Sequence, residues 1–317
     1  MVTEKIYEQA WKADTFTFPA AYSFRLAPGT LDELLRQTDY VQSTPDLPPT
    51  TLLEMERFPS LQREVEVIKQ RFLEQGYGFC VVTGLEPAFF SRARAVQRGT
   101  FYLLGTMLGT PLVQNIQGET LIEVSDKGQS MKTGGRYHDT KEGGSLHTDS
   151  PQFPHPPDYL GLLCYHPGKI GGKSKLVSAY TVHNYLRERC PDLLPVLYEP
   201  FHFDKRGDVL SGESPTTLAP IFLVQGEERE FRFRYLRDYI DQGQQRVQQP
   251  LTYRQQAALD ALDQLLEDET LTVQTELQAG QILLNNNNTV VHGRTAFEDW
   301  PEEERKRIML RLWIQKN

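Results

Sequence analysis

The sequence predicts a mainly β protein, a sandwich or barrel with a helical flank on its N-terminal side. Three observations point there. Short apolar runs punctuated by turn residues follow one another from residue 159 to the end of the chain. These strands do not alternate with helices, which disfavours a doubly wound parallel sheet. Helical periodicity is concentrated in the first third. No internal repeat or linker stands out, so the chain is expected to be a single domain, with a mixed helical flank over 1–110 and the β core over 111–317.

Taken in order, residues 1–58 are proline-rich toward their end and predict short strands and turns, with a helix near 30–38. Over 60–75, Leu61, Val65, Ile68 and Phe72 recur at helical spacing opposite Arg63, Glu64 and Lys69, and Gly76 should stop that helix. Gly78 to Thr83 reads as a short buried strand ended by Gly84. A second helix is expected over 89–108, burying Ala95, Leu103, Leu104, Met107 and Leu108. Val113 to Val124 reads as two strands turning near Gln117-Gly118. Residues 126–144 are polar, glycine-rich and aperiodic, as expected of a loop that covers a site. Strands are then expected at Tyr159–Cys164, Ser174–Ser178, Tyr198–Phe203, Pro220–Val224, Glu230–Tyr235, Thr272–Thr275, Gln281–Leu284, Thr289–His292 and Arg307–Gln315. One helix interrupts them near 252–268, with Thr252 and Gln255 as a capping box.

Composition narrows the function. No apolar run approaches the length of a membrane span, and the first residues lack the pattern of a secretory signal. Cys80, Cys164 and Cys190 are odd in number and far apart, which suits a reducing cytoplasm better than a disulfide framework. The formal net charge is −8, with no basic block. Nucleic acid and anionic membrane are therefore not expected as partners, and a small molecule is.

Two stretches carry ligand-type residues as His-x-Asp. In an extended segment His147 and Asp149 share one face and Leu146 and Thr148 take the other, so the pair could grip one ion. His202 and Asp204 form a rival pair, but Phe201 and Phe203 opposite them give it the look of an ordinary half-buried strand. The first pair follows two flexible glycines, and His292 is the best third ligand. Two imidazoles and one carboxylate leave coordination positions open and favour non-haem iron; zinc stays open on spacing alone, although no HExxH accompanies the site. Near the C-terminus, Ile308, Leu310, Leu312 and Ile314 share one strand face, and Arg307, Met309, Arg311 and Trp313 share the other. Two inward arginines call for anionic partners, from the protein or from a small dicarboxylate.

Together, His147-x-Asp149, Gly171-Gly172-Lys173-Ser174, His292-Gly293-Arg294 and Arg307-x3-Arg311 resemble the taurine dioxygenase and clavaminate-synthase-like family of Fe(II)/2-oxoglutarate-dependent oxygenases. The resemblance covers about 85–317 and is closest from 143 onward. It implies a double-stranded β-helix (jelly roll, cupin-like), with iron on His147, Asp149 and His292. It implies 2-oxoglutarate on Arg307 with help from Ser174, where the family commonly has Thr. Arg311 matches a position often near a substrate anion, and the 126–144 loop adds Arg136 as a further expected substrate contact. The implied reaction consumes O2 and 2-oxoglutarate, releases succinate and CO2, and hydroxylates an unactivated C–H of a small molecule, expected to be anionic or amino-acid-like. Desaturation or cyclisation by the same cofactors, and a non-catalytic iron- and 2-oxoglutarate-binding module, are the alternatives. Asp149 disfavours halogenation, for which the family replaces the metal carboxylate.

Overall fold

The computed structural model describes residues 9–42, 58–85, 89–115, 117–129, 139–207, 212–225 and 230–317. Two sheets organise it. The larger runs β1 (Ser23–Arg25), β2 (Phe79–Thr83), β13 (Ile282–Asn286), β5 (Tyr159–His166), β16 (Ile308–Gln315) and β3 (Thr110–Pro111), with β4 (Leu121–Val124) also paired to β16. Only β1 and β2 run parallel; the other pairs are antiparallel. The smaller sheet sets β7 (Ser174–Ser178) between β12 (Val273–Thr275) and β14 (Val290–Arg294). β6 (Ile170–Gly171) pairs with β15 (Phe297–Glu298), β8 (Pro200–Asp204) with β9 (Thr216–Pro220), and β10 (Phe222–Gln225) with β11 (Glu230–Phe233).

Side-chain alternation distributes these strands over three cores. Between the sheets lie Phe79, Val81, Cys164, Leu176, Leu283, Val290 and Met309. The outer face of the large sheet packs Leu310, Leu312 and Ile314 against α1 (Pro28–Gln42), α2 (Pro59–Val67) and α3 (Arg94–Leu108). There the approach is close: a Cβ on Gly105 of α3 would lie 2.0 Å from Leu312 Cδ2. The outer face of the small sheet, through Val177, Val291 and the nearby Leu146, packs on α4 (Ala179–Arg189), α6 (Tyr253–Glu267) and the two hairpins. The aliphatic face of β16 is thus buried against helices as its alternation required. Arg311 and Trp313 are left to face the space between the sheets.

Several expectations need adjusting. The 60–75 helix is α up to Val67 and then π-helical over Ile68–Glu74. Ala95 is exposed, while Gln97, Thr100 and Phe101 of the same helix are buried. Tyr198 ends a 3-10 turn over Leu194–Tyr198, and Pro220 closes β9 rather than opening the next strand. The helix near 252–268 forms with its capping box in place, Thr252 Oγ1 accepting from the Gln255 N–H. It is not the sole helix of the β region. α4 starts at the cap Ser178, whose hydroxyl accepts from Thr181 N–H. α5 (Arg237–Arg246) is too polar to announce itself and carries a glycine in its interior. That glycine is required, because a Cβ on Gly243 would lie 2.1 Å from the His202 carbonyl oxygen of β8.

Candidate metal centre

His147 stands on a short extended segment that adds to the edge of the small sheet. Its N–H donates to the His292 carbonyl at 2.8 Å, and the His292 N–H returns the bond at 2.9 Å. Directly opposed residues project to the same side. The two imidazoles therefore meet, with ring centroids 4.8 Å apart. Alternation within the segment sends Leu146 into the core and brings Asp149 beside His147. Asp149 Oδ1 lies 3.6 Å from His147 Nε2 and 3.5 Å from His292 Nε2. One ligand atom from each of the three residues falls within 4.8 Å of the others, and among the described residues no other such group was found.

The protonation states suit a cation. His147 Nδ1 lies 2.9 Å from the Ser145 carbonyl and donates to it, which leaves Nε2 as the lone-pair nitrogen facing Asp149. Burial holds His292 below the ordinary imidazole range, with the Arg311 charge acting the same way and Asp149 acting against it. Burial works to raise the Asp149 carboxyl, but the Arg311 charge and the two imidazoles facing it outweigh that and hold the group well below the usual carboxylate range. The set offers two imidazole nitrogens and one carboxylate oxygen on a single side. This is the donor set of non-haem Fe(II) oxygenases, and the residues fit that metal.

The two sheets share the work of holding Asp149. From the large sheet, Trp313 Nε1 donates to Asp149 Oδ2 at 2.5 Å, and Arg311 Nη1 lies 3.5 Å from the same oxygen. Arg311 Nε donates to Gln114 Oε1 at 2.8 Å, and its Cζ lies 4.7 Å from the Trp313 ring centre. Oδ2 is therefore occupied by protein, and Oδ1 is the oxygen turned toward the histidines. The Asp149 backbone is gripped by the Asn287 side chain, which accepts from its N–H at 2.8 Å and donates to its carbonyl at 3.1 Å. Thr148, on the opposite face, exchanges bonds with Tyr235.

Arg307 lies at the start of β16, buried at 3% exposure, with its Cζ 5.0 Å from the centre of the Phe297 ring. Gly172 makes room for it: a Cβ there would sit 3.0 Å from Arg307 Nε, and the residue has φ +71°. Ser174, two residues on, is buried in β7 opposite Arg294. Arg294 donates to the Thr140 carbonyl, so its guanidinium ties the 139–144 segment to β14. Lys127 and Asp139, on the described flanks of the 126–144 loop, pair side chains at 2.7 Å. Arg136 lies outside the described residues.

The rival triplet is built differently. His202 Nδ1 bonds Thr216 Oγ1 across the β8–β9 hairpin at 3.0 Å, and the buried Asp204 carboxylate takes Arg246 Nε at 2.6 Å. His202 thus ties β8 to β9, and Asp204 ties α5 to β8. Reasoning from sequence missed Trp313 as a donor to Asp149, and Asn287 altogether. The Asn285-Asn286-Asn287-Asn288 run was the available signal, since four consecutive amides beside a strand need partners somewhere.

Comparison with known proteins agrees with this geometry. The family model described as taurine catabolism dioxygenase TauD, TfdA family matches residues 49–313. The FR-33289 synthase of Streptomyces rubellomurinus is 28% identical over 246 residues, 76% of this chain and 70% of that protein. A uridine-5'-phosphate dioxygenase from a Streptomyces species is 30% identical over 156 residues, 47% of this chain and 53% of that one. A solved structure of asparagine oxygenase in complex with Fe(II), 2S,3S-3-hydroxyasparagine and succinate superposes with a TM-score of 0.72 at 17% identity, covering 93% of each chain. The chain thus belongs to the taurine catabolism dioxygenase TauD, TfdA family and is an Fe(II)- and 2-oxoglutarate-dependent dioxygenase of the jelly-roll fold.

Proposed function

We propose that the protein hydroxylates an unactivated C–H of a small anionic or amino-acid-like molecule, with iron held by His147, Asp149 and His292 and 2-oxoglutarate by Arg307 and Ser174. The observation that carries the reading is the convergence of the three ligand atoms, with Asp149 held by Trp313 of the strand that the buried Arg307 leads into. Bound iron supplies the activation of O2, coupled to conversion of 2-oxoglutarate into succinate and CO2. The chain supplies position. Trp313 and Arg311 hold one carboxylate oxygen of Asp149, and the histidine rings are fixed by the paired backbone of β14. Arg307, buried on Phe297, offers a fork for the distal carboxylate of 2-oxoglutarate, and the Ser174 hydroxyl adds a donor. Arg311 borders the substrate side of the metal. Arg136 is a further substrate contact in the proposal, as the sequence expects.

The substrate class is supported by two relatives. One is named for a nucleoside phosphate, and the fold neighbour holds a hydroxylated amino acid. Location in the cytoplasm is part of the proposal, supported by three free cysteines, two of them buried. Among the described residues no helix is long and apolar enough to cross a membrane.

A library of amino acids and small acids, scored for succinate release by mass spectrometry, tests the proposal. Release should require added Fe(II) and O2, rise with one class of acid, and vanish in His147→Ala. Turnover that persists without iron, or a product lacking added oxygen, would count against it.

A further inference from the structure

We propose that Arg234 binds an oxyanion of the substrate, a carboxylate, sulfonate or phosphate, at the edge of the metal centre; this rests on the oxygenase reading given above.

Its position follows from alternation. Tyr235 and Thr148 exchange backbone bonds, Thr148 N–H to the Tyr235 carbonyl at 2.9 Å and Tyr235 N–H to Thr148 Oγ1 at 2.9 Å. Phe231, Phe233, Tyr235 and Leu146 all enter one core on the far side from the metal. Arg234, between Phe233 and Tyr235, therefore takes the face that His147 and Asp149 take on the neighbouring segment. Its Nη1 donates to the carbonyls of Pro151 and Phe153, both at 3.2 Å, in the turn that directly follows Asp149. The Phe153 ring meets Trp313 edge-on at 6.0 Å, and Trp313 is the donor to Asp149. The guanidinium is thus fixed on the wall of the site.

Its charge is left unbalanced by the described residues. Arg311 has Asp149, Arg232 has Asp158 and Glu230, and Arg237 has Asp241, Asp260 and Asp263. Among the described residues Arg234 has no carboxylate partner, only the two carbonyls, and Nε and Nη2 donate to none of them. Burial, and then the Arg232 charge, work against its positive charge. A half-buried guanidinium held open by carbonyls is costly unless an anion arrives, and its free edge presents the paired donors that an oxyanion takes. Arg311 is the obvious competitor, but its Nε and Nη1 are already committed to Gln114 and Asp149.

The test uses the full-length protein loaded anaerobically with Co(II) and saturating 2-oxoglutarate, so that Arg307 is occupied. Sulfate is the probe, titrated by calorimetry. Wild type should bind sulfate saturably at one site. Arg234→Gln should weaken it by about tenfold or more, and Arg234→Lys, which keeps the charge and loses the fork, by about threefold. The lysine variant decides the matter if the glutamine variant does not fold. Absence of saturable sulfate binding in wild type, or unchanged affinity in the variants, overturns the proposal. The 2-oxoglutarate titration is scored first and separately: if it fails, the oxygenase reading of the site fails, whereas normal 2-oxoglutarate binding without a sulfate site overturns the role of Arg234 alone.

Discussion

Asn287 acts as a strand partner for Asp149. Its amide oxygen accepts the Asp149 N–H at 2.8 Å, and its amide nitrogen donates to the carbonyls of Asp149 and Pro157 at 3.1 and 3.0 Å. The segment carrying the metal carboxylate leaves the sheet edge after His147, and Ser150 already has φ +51°. No strand accompanies Asp149 at that point, so the side chain completes its backbone bonding. Asn287→Ala removes all three bonds and leaves buried backbone groups unsatisfied. Fe(II) affinity should fall by about tenfold in an anaerobic titration, in keeping with loss of an outer-shell support. Asn287→Asp should not rescue it, because an oxygen replaces the donor facing two carbonyls. Unchanged metal affinity in both variants would show that the carboxylate is placed without this clamp.

The 2-oxoglutarate assignment predicts a paired result at Arg307 and Gly172. Truncating Arg307 to Ala removes the fork and should raise the 2-oxoglutarate requirement by about a hundredfold. Gly172→Ala should raise it too, since the new Cβ would press on Arg307 Nε at 3.0 Å and the backbone there has φ +71°. Measured succinate release against 2-oxoglutarate concentration checks both. If Arg307→Ala leaves the requirement where it was, the carboxylate binds elsewhere.

How much of this was legible beforehand depended on whether one residue's neighbours in sequence determined its environment. The alternation of β16 did so, and it correctly turned Arg311 and Trp313 toward the space between the sheets. The Thr252–Gln255 capping box is equally local and appears as read. The His-x-Asp ambiguity was resolvable only through distant residues, because what separates Asp149 from Asp204 is a histidine at 292 against an arginine at 246. Helix α5 was illegible because its sequence is polar and broken by Gly243, whose reason, a close approach to the His202 carbonyl, spans two elements. Asn287 and Arg234 were passed over for the same reason: an amide or a guanidinium acquires meaning only from the backbone it faces.

The two His-x-Asp triplets make opposite predictions. His202→Ala should leave Fe(II) binding intact, since His202 bonds only Thr216 across a hairpin. Asp204→Ala should instead cost stability, because the Arg246 pair and the Arg206 N–H contact both end on that buried carboxylate. A loss of about 1–2 kcal/mol is expected, since the charge left behind on Arg246 is half exposed and water solvates it, read as a lowered denaturation midpoint. His147→Ala should give the reverse pattern, with metal binding lost and stability little changed. Loss of iron in His202→Ala would reassign the centre.

His183 gives the fold an acid limit that is separate from the metal site. It lies on α4 at 5% exposure, with Nε2 2.8 Å from the Tyr198 hydroxyl and the Phe222 and Phe231 rings edge-on around it. Among the described residues its Nδ1 has no hydrogen-bond partner. Burial lowers its pKa to about 4 from an ordinary 6.5. The unfolded chain therefore binds this proton at a higher pH than the native protein does. Stability that is fully present above about pH 6.5 drains away as the pH falls toward 4, by roughly 3 kcal/mol in all. Urea denaturation at pH 7 and pH 4 measures the total drop, to which carboxylates also contribute. His183→Gln isolates the histidine: it should be less stable at pH 7, through the lost ring contacts, yet lose roughly 3 kcal/mol less than wild type between the two pH values. Equal losses in the two proteins would mean that the imidazole is already protonated in the native state and that its pocket carries the charge.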